Sequence, residues 1–305
     1  MTGHDDWSRD HGAAALRRHA PEVASTLDRL VALVPPIGDG SVVARAREVC
    51  GRTLSLPPLP APPVTSAPAN ADGTTQVPLE FAEQFSADVS MIDDAMRGAL
   101  ASALGDRTGT FVQSLYVADW VPRVRAGLDA LFEGADADWG IPIEWATEGE
   151  PWPLIQRTLV DVARLRELDP VTTEVVRLYQ ARQHNCRLCK SLRNRTALLA
   201  GGDEAVYAEI DDYRSGGLSP RHKAGLGLAE GLTWQPGHLD PQAIAAVREH
   251  FSPAEAVELV LDTMRNSCNK IAVSTGTDQA NITDGVEIYD VNPDGSVDFG
   301  LALPG

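Results

Sequence analysis

From Pro21 to Val34 the apolar residues Val23, Leu27, Leu30, Val31 and Val34 recur every three or four positions, the spacing that gathers one face of an α-helix. Pro21 falls in the first turn, where its missing N–H costs nothing, and Pro35-Pro36 end the helix. A second helix is predicted from Ser41 to about Leu54. The proline-rich stretch from Leu56 to Thr75, LPPLPAPPVTSAPANADGTT, then reads as a connector rather than a peptide-recognition motif. Between Phe81 and Phe132 the pattern predicts two amphipathic helices. The first is FAEQFSADVS joined to MIDDAMRGALASALG with a stop at Gly105, and the second is TGTFVQSLYVADWVPRVRAGLDALF, which Pro122 kinks or restarts. The Gly-, Pro-, Trp- and acid-rich segment GADADWGIPIEWATEGEPWPL marks a boundary between two halves.

In the second half Asp169 is placed to cap a helix whose first residue is Pro170, with Val171, Val175, Leu178 and Tyr179 along its apolar stripe. The pattern breaks at Gln183-His184-Asn185, and Asn185 is the expected N-cap of a second helix carrying Cys186 and Cys189 in its first turn. Beyond it the first half is repeated at an offset of 147: Phe81-Ala82-Glu83 falls on Leu228-Ala229-Glu230, Ile92-Asp93 on Leu239-Asp240, and, with a one-residue shift, FVQSLYVADW on VELVLDTMRN. In this alignment the helix with Cys50 stands where the cysteine pair stands in the second half. The chain ends differently. VEIYDV and SVDFGLAL alternate apolar and polar residues around Asn292-Pro293-Asp294-Gly295, which predicts a short β-hairpin over 286–303 as an appendage to the helices.

Charge alters this picture locally. The chain carries 43 Asp and Glu against 26 Lys and Arg, a net charge of −17 that argues against nucleic acid or an anionic membrane as partner. Yet between Val175 and Gly202 there is no acid, while Arg177, Arg182, Arg187, Lys190, Arg193 and Arg195 all occur there. Unpaired N–H groups at a helix start favour a thiolate, so a lowered thiol pKa is expected for the pair. Arg193, four residues after Cys189, is expected on the same helix face, holding a thiolate without shuttling protons. Glu174 is the only acid nearby. Apolar runs are too short for a membrane span and no secretory signal is apparent, so a cytoplasmic protein is expected.

These residues resemble the AhpD-like group of the carboxymuconolactone decarboxylase superfamily. Its signature is Glu, eleven residues, Cys-x-x-Cys, three residues, His; Glu174, Cys186 and Cys189 match it, and Arg193 stands at the histidine position. The resemblance implies an all-α fold in two homologous halves, 1–140 without the cysteine pair and 141–285 with it, followed by the hairpin at 286–305. It also implies a redox-active dithiol that needs no cofactor or metal, with Glu174, Cys186, Cys189 and Arg193 as the site. Glu174, which in the family relays a proton from the attacking thiol together with the histidine, is the expected proton acceptor. The implied activity is that of an alkylhydroperoxidase-like oxidoreductase acting on hydroperoxides or on the disulfides of a partner protein. Homo-oligomers, here a dimer or trimer, are typical of the superfamily. His184 and His222 are candidates to substitute for the missing histidine, although each also fits an ordinary surface residue. Other readings of the cysteine pair are a zinc site, for which Cys50 and Cys268 are poorly spaced, a structural disulfide, or two inert core cysteines. A non-catalytic helical assembly or binding module, and the superfamily's lactone-acid decarboxylation, complete the alternatives.

Overall fold

The structure, a computed structural model, describes residues 7, 10–38, 40–63, 76–133, 139, 143–146 and 149–303. Much of the proline-rich connector (64–75) and about half of the Gly- and acid-rich boundary segment lie outside the described residues. The helices are, in order, α1 (Gly12–His19), α2 (Pro21–Ala32), α3 (Ser41–Leu54), α4 (Gln76–Ala87), α5 (Asp94–Leu104), α6 (Thr108–Leu131), α7 (Pro151–Ala163) and α8 (Pro170–Gln183). Then come α9 (Arg187–Ser191), strand β1 (Leu192–Asn194), α10 (Arg195–Leu199), α11 (Glu204–Ala208), α12 (Pro220–Trp234), α13 (Pro241–His250), α14 (Pro253–Asn266) and α15 (Asn269–Thr275). Strands β2 (Glu287–Val291) and β3 (Val297–Leu301) close the chain. The fold is therefore mostly helical with a small sheet near its C-terminus, and no helix among the described residues is long and apolar enough to cross a membrane.

Helix starts follow a simple chemistry. Asp169, Ser219, Asp240 and Ser252 each accept a backbone N–H from the first turn of α8, α12, α13 and α14, and each is followed by a proline that has no N–H to strand. The predicted face of α2 is buried, with Val23, Leu27, Leu30 and Val31 all inside. The two helices expected between Phe81 and Phe132 are three. Asp93 caps α5 after a short 3-10 turn at Val89–Met91, so the first of them is broken at Asp88. Pro122 neither stops nor restarts α6, which runs through it. The bond its own N–H would have made is lost, and α6 is buried on nearly every side, so packing holds the helix together through the proline.

α6 and α14 form the centre. Trp120, Phe111, Leu115 and Leu128 of α6 are enclosed, and the Tyr116 hydroxyl donates to the Met264 carbonyl at 2.8 Å. At Gly127, a Cβ would come within 2.9 Å of Leu232 Cδ2, so glycine is what lets α6 and α12 approach this closely. The element order helix, 3-10 turn, helix, helix recurs. The turn Val89–Met91 falls on Pro236–His238 at the 147 offset, and the caps Asp93 and Asp240 correspond. One buried guanidinium joins the two series. Arg123 donates to Ser86 O at 2.9 Å and to Thr233 O at 2.6 Å, positions that are equivalent at that offset. Its charge is balanced by Asp119 (2.7 Å), which also accepts from Lys270 Nζ (2.6 Å).

The hairpin forms as expected but is not an appendage. β2 pairs antiparallel with β3 and parallel with β1, setting Arg193 opposite Ile288 and Asn194 opposite Tyr289. The C-terminus is thereby fastened to the residues that immediately follow the cysteine pair.

Candidate functional site

α8 buries Glu174, Arg177 and Tyr179 together, and it ends at His184 with Asn185 in the left-handed region (φ 53°), a turn Asn tolerates better than most residues. The expected cap Asn185 is therefore displaced by one. Cys186 itself caps α9, its Sγ accepting from the Cys189 N–H at 3.2 Å. Cys186 and Cys189 are joined in a disulfide; Cys186 is 1% exposed, while Cys189 is half-buried. Of the two residues only Cys189 keeps partial exposure.

α9 is a single turn. The Cys189 carbonyl accepts the Leu192 N–H, the Cys189 and Leu192 carbonyls also accept from Arg177 Nη1 and Nη2, both at 2.8 Å, and the chain passes into β1. This corrects the expectation for Arg193. It lies on a strand, and its guanidinium binds Glu204 (2.6 Å) together with the Lys190 and Leu192 carbonyls, over the ring of Tyr207. It fastens β1 to α11 and makes no hydrogen bond to either sulfur. The cationic run is likewise balanced from outside the acid-free window: Arg182 pairs with Asp211, Arg187 with Asp278, and Arg177 with Glu174.

Glu174 is 1% exposed and its carboxylate is fully engaged. It accepts from Arg177 Nε (2.6 Å) and Nη2 (2.7 Å), from the Asn194 N–H (3.1 Å) and from the Tyr289 hydroxyl (3.2 Å). Burial lowers the Arg177 pKa, but the Glu174 carboxylate outweighs it and holds the guanidinium above its ordinary range. The structure thus brings Glu174 to the cysteine loop through Arg177, not by direct contact. Tyr289 and Asn194 are parts of this cluster that sequence reasoning missed. The apolar–polar alternation of VEIYDV can mark Tyr289 as inward-facing, but nothing in it says that the hairpin docks on α8.

Behind Glu174 and Arg177, away from the sulfurs, lies a cavity of about 370 Å³ walled by α7, α8, α14 and β2. Neither cysteine lines it.

His184 corrects another expectation, that of a surface residue. It is buried against α15, its Nδ1 within 2.7 Å of Asn269 Oδ1, and burial together with the Lys270 ammonium pushes its pKa down to about 3. It is a neutral ring at physiological pH and a poor proton relay. His222, in the first turn of α12, is partly buried, and that burial lowers its pKa. Because the folded pKa of His184 lies below the unfolded value, the unfolded chain takes up its proton first as pH falls, and stability present above about 6.5 drains away towards 3. Denaturant titrations of wild type and His184→Gln from pH 8 to pH 4 should show the wild type losing stability relative to the variant below about pH 6.5. Parallel curves would remove the burial argument.

Cys50 and Cys268 differ from the pair. Burial pushes the thiols of both up to about 12, with Asp119 adding to the effect at Cys50. Both should be protonated and unreactive at neutral pH.

The molecule is thus a mostly helical protein with one solvent-reaching Cys-x-x-Cys disulfide, clamped by a buried Glu–Arg–Tyr cluster. The chain is 46% identical, over 282 residues covering 91% of its own length and 98% of theirs, to the proteins named Uncharacterized protein Rv2313c and Uncharacterized protein MT2376 of two Mycobacterium tuberculosis strains. It belongs to the same family as these mycobacterial proteins. No protein-family model and no solved structure matches it.

Proposed function

We propose that the protein is a thiol-dependent oxidoreductase whose Cys186 and Cys189 cycle between dithiol and disulfide. The observation that carries this reading is the disulfide within a Cys-x-x-Cys turn with one enclosed and one partly exposed cysteine, an arrangement suited to an attacking and a resolving thiol. In the reduced protein the Cys189 thiolate attacks the O–O bond of a hydroperoxide. The S–O bond forms, the O–O bond breaks, and the departing alkoxide takes a proton from solvent, leaving a sulfenic acid and an alcohol. Cys186 then displaces water from Cys189, forming the disulfide. Two electrons from a dithiol protein restore the pair. With a partner disulfide in place of the hydroperoxide, the same two thiols act by exchange through a mixed disulfide.

Glu174 is a positioning residue here. Through Arg177 it holds the Cys189 and Leu192 carbonyls, and so the geometry of the turn. Arg193 anchors β1 and takes no part in proton transfer. The reading assumes an AhpD-like relation, a cytoplasmic setting and a homodimer or trimer.

The test is chemical. After reduction, iodoacetamide at pH 7 should label Cys186 or Cys189 and spare Cys50 and Cys268. Stoichiometric cumene hydroperoxide should then remove two hydrogens from the intact mass, with peptide mapping assigning the bond to Cys186 and Cys189. Oxidation at Cys50 or Cys268 instead, or no oxidation, would favour the non-catalytic helical module.

A further inference from the structure

The cavity behind Glu174 has features that the thiol chemistry does not use. Asp262, on α14, is 3% exposed and lines it; Thr173 bonds its carboxyl, but Oδ2 has no hydrogen-bond partner. A buried carboxylate oxygen without a donor is costly, and the side chain that carries it lines this cavity, where a ligand could supply the missing donor. One turn earlier Glu258, also enclosed, lines the same space and holds the Glu167 N–H at 2.6 Å. Burial raises the pKa of both carboxyls; at Glu258 the neighbouring Asp262 raises it further, and at Asp262 the charge of Arg265 offsets part of the rise. On the opposite charge, Arg265 is a half-buried wall residue that makes no hydrogen bond or ion pair among the described residues. Arg166 reaches the Asn292 carbonyl at the rim.

This pairing selects a ligand class. A bare metal ion is disfavoured by three guanidiniums in the walls, those of Arg166, Arg177 and Arg265, and no group of three or more His, Cys, Asp or Glu suited to a metal exists among the described residues. An ammonium group offers three donors to two close carboxyls and neutralises one of their charges. A carboxylate accepts the fork of a free guanidinium. We propose that this cavity binds a small zwitterion, an amino acid or ω-amino carboxylate, with its ammonium on Asp262 and Glu258 and its carboxylate on Arg265. A volume of about 370 Å³ suits a molecule of that size.

The site shares a wall with the cysteine cluster, since Glu174 and Arg177 face both, but the binding does not depend on the thiols.

The experiment is calorimetric titration of the full chain, backed by thermal melts. The probes are glycine, β-alanine, γ-aminobutyrate and ε-aminocaproate, with butylamine and butyrate as single-charge controls. One member of the amino acid series should bind and raise the melting temperature, and both controls should bind at least about tenfold more weakly. Asp262→Asn is isosteric and removes an unpaired buried charge, so it should melt no lower than wild type while weakening that ligand at least about tenfold. Arg265→Gln should weaken it similarly. A Cys186→Ser, Cys189→Ser double variant should bind as wild type does, which separates this site from the redox reading. Absence of binding across the series, a control that binds as well as the zwitterion, or undiminished binding to Asp262→Asn would overturn the proposal.

Discussion

Replacing Arg177 with alanine should destabilise the protein by about 3–5 kcal/mol, the cost of leaving a buried charge without its partner. The arginine occupies three places at once. It neutralises Glu174, donates to the Cys189 and Leu192 carbonyls, and lies 5.3 Å beneath the centre of the Tyr289 ring. In the variant a carboxylate 1% exposed would keep only the Asn194 N–H and the Tyr289 hydroxyl, and the one-turn helix carrying Cys189 would lose its tether to α8. Glu174→Gln in the same chain should recover part of the loss, because the uncompensated charge is gone while the amide oxygen still accepts from the Asn194 N–H and the amide NH2 can donate to the Tyr289 hydroxyl. Urea unfolding of the two single variants and the double variant reads this directly. A loss under about 1 kcal/mol for Arg177→Ala would place the pair in the class of exposed ion pairs and dissolve the clamp.

Cys189→Ser should abolish turnover with hydroperoxide or partner disulfide, whereas Cys186→Ser should retain the first chemical step and stop after it. The difference follows from burial. The partly exposed Cys189 meets the substrate, and Cys186, 1% exposed, can act only on the product formed at its neighbour. With hydroperoxide, the Cys186→Ser protein should accumulate a sulfenic acid on Cys189 that dimedone traps. With a disulfide reagent it should accumulate a stable mixed disulfide at the same residue. Equal trapping in both variants would mean that both sulfurs are accessible and that the attacking and resolving roles are not set by the fold.

The helices and the hairpin were legible because both depend on local periodicity. The stripe of α2, the Asp169 cap before Pro170 and the turn at Asn292-Pro293-Asp294-Gly295 need only neighbouring residues. The site was legible as a stretch but not as a geometry. Arg193 was expected one turn from Cys189, but α9 ends at Ser191, where Arg177 reaches across from α8 to the Cys189 and Leu192 carbonyls. The cationic field was inferred from a window without acids, but Asp211, Asp278 and Glu204 enter from elsewhere in the fold. Glu174 was singled out as the only acid near the cysteines, yet it reaches their loop only through Arg177. Its saturation by Tyr289 depends on β2 crossing to β1 from almost a hundred residues away, a contact no local pattern encodes. His184 was misjudged for the same reason, since its partner Asn269 lies on α15.

The central claim is that the Cys186–Cys189 bond is made and broken in use, and its reduction potential tests this most directly. Equilibration of the protein in glutathione or dithiothreitol buffers, read by alkylation and mass, should give a value between about −200 and −270 mV, the range of thiol carriers that exchange electrons at cytosolic poise. A value below about −300 mV would mark a structural disulfide that the cell's thiols leave intact, and would contradict the account.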